Sequence, residues 1–371
     1  MAVVGAGPAG AATALHLARA GWDVLLLERE RLPRYKVCGG GVTRKALQEL
    51  PFDPADVLER APTHAKVAVR SGQPVEIDAG EPAAWTVMRD RFDARIVAEA
   101  VSAGARLVEG CRVIGSENGG LSTSAGPMRA SYVVGADGAP SRVASSLGLT
   151  QGRRQTPAVE AEVAVDPETL RQWVDVALFD FGAVDGGYGW VFPKSGHLSI
   201  GLCSLHRKAP GLLERTRRYV RTVLNDAPSE VLRITGHLLP VGGPAGDAHH
   251  GNALLVGDAA GLVDPFLGEG IAYALRSARL AAAAIDDVFH QRAEDLSPYS
   301  ECLRTSHARE FRWADRIGRI VYRHPRLVDR LAFRNRRFAR LFFDVLTGER
   351  TYRQFVGDSL RHPLQLAAGY F

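Results

Sequence analysis

Residues 1–28 read MAVVGAGPAGAATALHLARAGWDVLLLE, and the reading of this stretch decides the fold. Ala2-Val3-Val4 is a short apolar strand, followed by Gly5-x-Gly7-x-x-Gly10 and an Ala- and Leu-rich helix over 11–20 that Gly21 stops. Val24-Leu25-Leu26-Leu27 is a second strand, closed by Glu28, 18 residues beyond Gly10. Apolar strands on either side of a helix suit a parallel sheet covered on both faces. Gly5 allows the tight turn, Gly7 lets backbone approach a pyrophosphate, and Gly10 lets helix and strand pack closely. The free N–H groups and dipole of the helix N-terminus favour phosphates. Glu28 can accept hydrogen bonds from both ribose hydroxyls and disfavours a 2′-phosphate, so the pattern predicts NAD or FAD rather than NADP.

Working outward, the sequence predicts a helix over 44–50, two short strands within 65–87, a helix over 92–103 and a strand over 130–134. From 159 to 202, VEAEVAV, VALFDFG, YGWVFP and HLSIGL read as antiparallel strands separated by turn residues. GNALLVGD (251–258) is strand-like and leads to a long Ala-rich helix over 270–289, and helical periodicity dominates from Pro298, broken near Pro325 and Pro363. The expected fold class is α/β. A Rossmann-like dinucleotide domain is assembled from 1–64, 83–150 and 246–293; an antiparallel sheet domain for substrate from 65–82 and 151–245; a C-terminal helical region covers 294–371.

Composition narrows the classes. In 371 residues, 46% hydrophobic and 23% charged, a disordered polymer is excluded, and 39 Gly with 20 Pro show no collagen period. No apolar run approaches the roughly 18–20 residues of a membrane span, and the N-terminus shows no basic segment of a secretory signal. Cys38, Cys111, Cys203 and Cys302 lie 73, 92 and 99 residues apart, which suits neither a zinc site nor a disulfide framework. A reducing, cytoplasmic compartment and no bound metal are the expectation. Nucleophile-elbow, phosphate-loop and zinc-protease motifs are missing, and His249-His250 reads as a surface pair.

Two further motifs choose between the dinucleotides. Gly135-Ala136-Asp137-Gly138 with Ser141-Arg142 resembles the second fingerprint of the class A flavoprotein hydroxylase superfamily, and Leu255-Val256-Gly257-Asp258-Ala259-Ala260 resembles the third. The resemblance implies FAD, with Asp258 on the ribityl chain and Asp137 and Val113 among the cofactor contacts. It implies that Gly268-Glu269-Gly270-Ile271 presents backbone N–H groups to the flavin pyrimidine edge, and that Arg89, ahead of Phe92 and Asp93, approaches the cofactor.

Tyr35-Lys36-Val37-Cys38-Gly39-Gly40-Gly41-Val42 and Tyr188-Gly189-Trp190-Val191-Phe192-Pro193-Lys194 resemble the Cys-Gly-Gly-Gly loop and the Tyr-x-Trp-x-Phe-Pro motif of the geranylgeranyl reductase family. That resemblance covers essentially the whole chain. It implies FAD-dependent saturation of isoprenoid double bonds on a lipid, quinone or chlorophyll-type substrate, with Cys38 a catalytic candidate and Cys38, Gly39 and Gly41 close to the flavin. Archaeal relatives often carry an acidic residue in this loop, where this chain has Gly40. Tyr188, Trp190 and Phe192 recur with period two, so they share one sheet face suited to a prenyl chain. With no second dinucleotide fingerprint, an external reductant (NADPH, NADH or ferredoxin) is expected to bind transiently. Two alternatives stay open: a flavin monooxygenase or halogenase, and a non-enzymatic flavin-containing lipid-binding or electron-carrier protein.

The net charge is +5, but residues 301–371 carry 15 Arg, no Lys and 7 acidic residues. Beyond Val328, Leu331, Phe338, Phe342 and Val345 form a helical stripe among Arg330, Arg334, Arg336, Arg337 and Arg340. The stripe predicts docking on the protein body. The arginines predict peripheral contact with the inner face of the membrane, and no nucleic-acid motif accompanies them.

Overall fold

The computed structural model describes residues 1–117, 120–150, 154–206, 208–244, 246–329 and 336–361. Ala2–Val4 pairs in parallel with Leu25–Leu27 on one side and Val133–Gly135 on the other. Arg106–Val108 extends the sheet at one edge, and Ala253–Leu255 joins Val133–Gly135 at the other. Helices Pro8–Arg19, Arg89–Ser102 and Ile271–Phe289 pack together against this sheet, with Ala9, Ala11, Ala12 and Ala14 buried in the contact. The first helix starts at Pro8 rather than Ala11, because proline's fixed φ and missing N–H suit the first helical position. Helix Arg44–Leu47 stops three residues short of the expected end. His249–His250 is a short edge strand rather than a loop, and His249 Nδ1 lies 2.7 Å from Ser300 Oγ.

The second large sheet runs in the order Ser229–Val241, Arg154–Val165, Leu198–Ser204, Gly187–Pro193, Val176–Phe181, His64–Val69, Val75–Asp78. Its pairings are antiparallel except that of His64–Val69 with Val176–Phe181. The stretch 65–87 holds three strands, not two: the third, Ala84–Val87, leaves for a small sheet with Gly41–Thr43 and Leu58–Arg60. Ser229–Val241 and the meander Val113–Glu117, Gly120–Thr123, Gly126–Arg129 were not expected from the sequence. One face of the large sheet packs on helix Leu212–Val223 through Tyr219 and Val220, while Tyr188, Trp190 and Cys203 turn to the other side.

The C-terminal helices Ala308–Arg323, Arg336–Thr347 and Tyr352–Arg361 close that other side. Val345 and Phe343 are buried, so helix Arg336–Thr347 docks. Arg340 is exposed and pairs with Asp344 at 3.3 Å. Residues Arg330, Leu331 and Arg334, and the side chains of Arg336, Arg337, Phe338 and Phe342, lie outside the described residues. Among the described residues no helix is long and apolar enough to cross a membrane.

Candidate active site

The groove begins at the first turn. Gly5 has φ +100°, and a Cβ there would overlap the carbonyl oxygen of Ala136; a Cβ on Gly10 would overlap that of Gly5. These two glycines are demanded by protein packing. Gly7 is different: the nearest atom to a Cβ there is Arg34 Nη2 at 3.7 Å, so its face is left for a ligand. Gly7 caps helix Pro8–Arg19 without a side-chain cap, which leaves first-turn N–H groups without partners inside the helix.

Glu28 ends its strand at the groove floor. Its carboxylate accepts from Ala6 N at 2.8 Å and Glu30 N at 3.1 Å, with Arg34 Nε at 3.6 Å. Arg34 continues to Asp93 (Nη1 to Oδ2, 3.1 Å), and buried Asp93 also takes a bidentate pair from Arg89 at 2.8 and 2.9 Å. Arg89 in turn is close enough to Cys38 to feel its sulfur electrostatically, and both line the same cavity. An alternating ionic ladder thus runs from Glu28 through Arg34 and Asp93 to Arg89. Two like charges, Arg34 and Arg89, are held together by the carboxylate between them.

The Cys38 loop is gripped from the large sheet. Cys38 N donates to Glu160 Oε2 at 2.8 Å, and Ser199 Oγ donates to Glu160 Oε1 at 2.6 Å. Lys194, 2% exposed, donates to Gly39 O at 2.8 Å and to Val87 O at 2.7 Å. Burial pushes the Lys194 pKa down, and Glu160 pulls it up. Gly40 has φ +67° and packs on Val87 O and Lys194 Nζ with no room for a Cβ; one on Gly39 would come within 2.9 Å of Trp190 Nε1. The loop is glycine-rich because it lies on the aromatic wall and on a buried ammonium.

Tyr188, Trp190 and Phe192 do share a face, with ring centroids 6.1 and 6.4 Å apart in succession. Tyr188 OH donates to Leu267 O, and Trp190 Nε1 donates to Ser199 Oγ at 3.2 Å. One cavity of about 880 Å³ joins the groove of Gly5, Gly7, Glu28, Val113 and Asp258 to this wall, passing Cys38, Gly39 and Gly41. Gly268, Gly270 and Ile271 line it at the N-terminus of helix Ile271–Phe289. Phe343 and Leu346 of the C-terminal region also line it. Burial raises the Asp258 carboxyl pKa against the pull of Lys36 and Arg89.

Asp137 lines the cavity, yet its carboxylate is committed to the protein: it accepts from Ser141 Oγ and Arg142 N, both at 2.6 Å, and from Val143 N at 3.2 Å. It fixes the helix Arg142–Ser146 and the turn that Gly5 packs against. Lys36 and His237 were missed as site residues. Lys36 Nζ lies 2.8 Å from His237 Nε2, and both line the cavity. Burial, then Arg89, pushes Lys36 down to about 8; burial, then Lys36, pushes His237 down to about 4. Lys36 stood inside a quoted motif, but His237 arrives on the unexpected strand.

The residues present fit FAD: an open Gly7 face at a helix N-terminus, a fixed acid, Glu28, at the end of the second strand, and a second helix N-terminus at Gly270. Fold and groove together define an FAD-dependent oxidoreductase of the class A flavoprotein plan. Residues 1–199 match the FAD binding domain family. The chain is 33% identical over 302 residues to digeranylgeranylglycerophospholipid reductase 1 of Methanopyrus kandleri, covering 75% of this chain and 78% of that protein. It is 31% identical over 348 residues to the menaquinone reductase of Mycolicibacterium smegmatis, covering 86% and 83%. A solved geranylgeranyl bacteriochlorophyll reductase-like protein of Thermoplasma acidophilum superposes with a TM-score of 0.78 at 23% identity, covering 86% and 87%. The chain belongs to the geranylgeranyl reductase family of FAD-dependent oxidoreductases.

Proposed function

We propose that the protein saturates carbon–carbon double bonds of a geranylgeranyl or longer prenyl chain carried by a lipid, quinone or chlorophyll-type molecule. The observation that carries this reading is the continuity of the cavity: nucleotide groove, Cys38 loop and aromatic wall bound one space. Reduced FAD supplies a hydride when bound. The chain's own residues do the rest. Tyr188, Trp190 and Phe192 offer an apolar face along which a prenyl chain aligns and from which water is excluded. Glu160 and Lys194 fix the loop that carries Cys38, and the thiol, as general acid, delivers the proton that completes an alkene reduction. Gly7 and Glu28 hold the adenosine diphosphate portion on the turn that Gly5 and Gly10 pack into shape, and Asp258, Gly268, Gly270 and Ile271 hold the flavin portion. The electron donor, a reduced nicotinamide or ferredoxin, binds transiently, and a membrane-dissolved substrate calls for peripheral contact with the inner membrane face.

The test is turnover of the chemically reduced protein without oxygen, using geranylgeranyl lipids and menaquinones and reading products by mass spectrometry. Gain of two hydrogens per saturated bond is expected. Hydroxylated or halogenated product formed only with oxygen would replace this reading with a monooxygenase or halogenase, and flavin reduction without any product would leave an electron carrier.

A further inference from the structure

Helix Ala308–Arg323 is two-faced. Phe311, Ala314, Gly318, Val321 and Tyr322 are buried, and Tyr322 packs on Phe266, ring centroids 5.7 Å apart. Phe266 precedes Leu267, which lines the cavity. Taken at about 100° per residue, Arg309, Arg312, Arg316, Arg319 and Arg323 fall on the opposite side, with Ile320 among them. Ile320 is 61% exposed, and Leu327, just beyond the helix beside Arg326, is 55% exposed. Arg319 pairs with Asp315 at 2.7 Å, and Arg316 lies 4.9 Å over the Trp313 ring. Arg309, Arg312, Arg323 and Arg326 are exposed and have no salt bridge to a described residue.

We propose that this face is where the protein rests on an anionic phospholipid surface. Four guanidinium groups with no salt bridge to a described residue, on long apolar stems with two aliphatic side chains between and beyond them, match charged headgroups above an acyl layer. A nucleic acid would use the arginines but gains little from Ile320 and Leu327, and Trp313 is already covered by Arg316. The face lies about one helix diameter, roughly 10 Å, from the cavity wall. A prenyl chain leaving the bilayer there is close to the site, so the inference rests on the reading of a membrane-dissolved substrate.

The experiment sediments the full, flavin-loaded chain with phosphatidylcholine vesicles, with and without phosphatidylglycerol, at low and high salt. Each arginine near the surface is worth about fivefold in partitioning. The variant combining Arg309→Ser, Arg312→Ser, Arg323→Ser and Arg326→Ser should therefore lose anionic-vesicle binding by hundreds-fold. Ile320→Ser with Leu327→Ser should weaken the binding that survives high salt. Both variants should reduce a detergent-solubilised prenyl substrate like the parent. Equal vesicle binding by parent and quadruple variant would overturn the assignment of this face, as would absence of vesicle binding by the parent. Loss of duplex-DNA binding with vesicle binding intact would make it a nucleic-acid surface. Vesicle binding without turnover of any prenyl substrate would sink the reductase reading and leave the lipid face standing.

Discussion

The sulfur of Cys38 accepts from Gly40 N at 3.4 Å, and Cys38 lines the same cavity as Arg89 and the aromatic wall. A thiol so placed can give a proton or steer the substrate, and kinetics separate the two. Cys38→Ser should keep FAD but slow reoxidation of reduced enzyme by prenyl substrate, about 100-fold if the thiol is a positioned acid. A smaller loss with a changed pattern of saturated bonds would indicate steering, and unchanged rate and products would reduce Cys38 to packing. At this scale the sequence was readable where a residue type answers a local demand, as with Gly5, whose φ of +100° a turn requires. It was silent on Glu160, Lys194, Lys36 and His237. A charged residue in a linear sequence reads as solvated, and only pairings between distant segments bury Glu160 and Lys194 and set Lys36 against His237.

The element that sets the thiol's place is a loop held by a sheet. Strand Gly187–Pro193 presents the aromatic wall, and Lys194 directly after it ties Gly39 O to Val87 O, so wall and thiol loop share one support. Strand Arg154–Val165 adds the second tie through Glu160. A hydrogen bond to a charged group is worth roughly 1.5–3 kcal/mol. Lys194→Met should free the loop, slow substrate-driven reoxidation by about tenfold or more, and speed alkylation of Cys38 read by peptide mass. Glu160→Gln, which keeps an acceptor for Cys38 N, should have a milder effect on both. A variant that loses rate with no change in Cys38 alkylation would argue against positioning. Period-two aromatics made the wall legible. Strand Ser229–Val241 was not, because it is the sheet's edge strand and its Leu232 and Leu238 face solvent, so no clean alternation marks it.

Across the whole molecule, the three fingerprints foretold the nucleotide half because each answers to one ligand. The C-terminal helices were legible only as amphipathic segments, since what they cover is decided by the sheet. Their packing carries a pH signature. His307, buried beside Tyr273 and Phe311, has no partner for Nε2, and burial followed by Arg276 pushes its pKa down to about 3. The ordinary value is 6.5, so below that pH the unfolded chain takes up a proton that the folded chain refuses. Stability therefore falls as pH drops from there towards about 3, by roughly 2 kcal/mol near pH 5 from this residue alone. His307→Phe should flatten the acid side of a denaturation profile and leave neutral pH nearly unchanged; an identical acid limb in the variant would refute the assignment.

The parallel sheet is also a timetable. Ala2–Val4 and Leu25–Leu27 leave the ribosome early, and Ala253–Leu255, Asp258 and the helix beginning at Ile271 follow more than two hundred residues later. Until then the early strand–helix–strand waits with its Val133–Gly135 edge uncovered, an aggregation hazard of long-range sheet assembly. On the proposed reading of the groove, its flavin-facing half is completed only with Asp258 and the helix at Ile271. FAD acts on this chain as a ligand of the nearly finished protein, stabilising it by mass action once the last strand is in place.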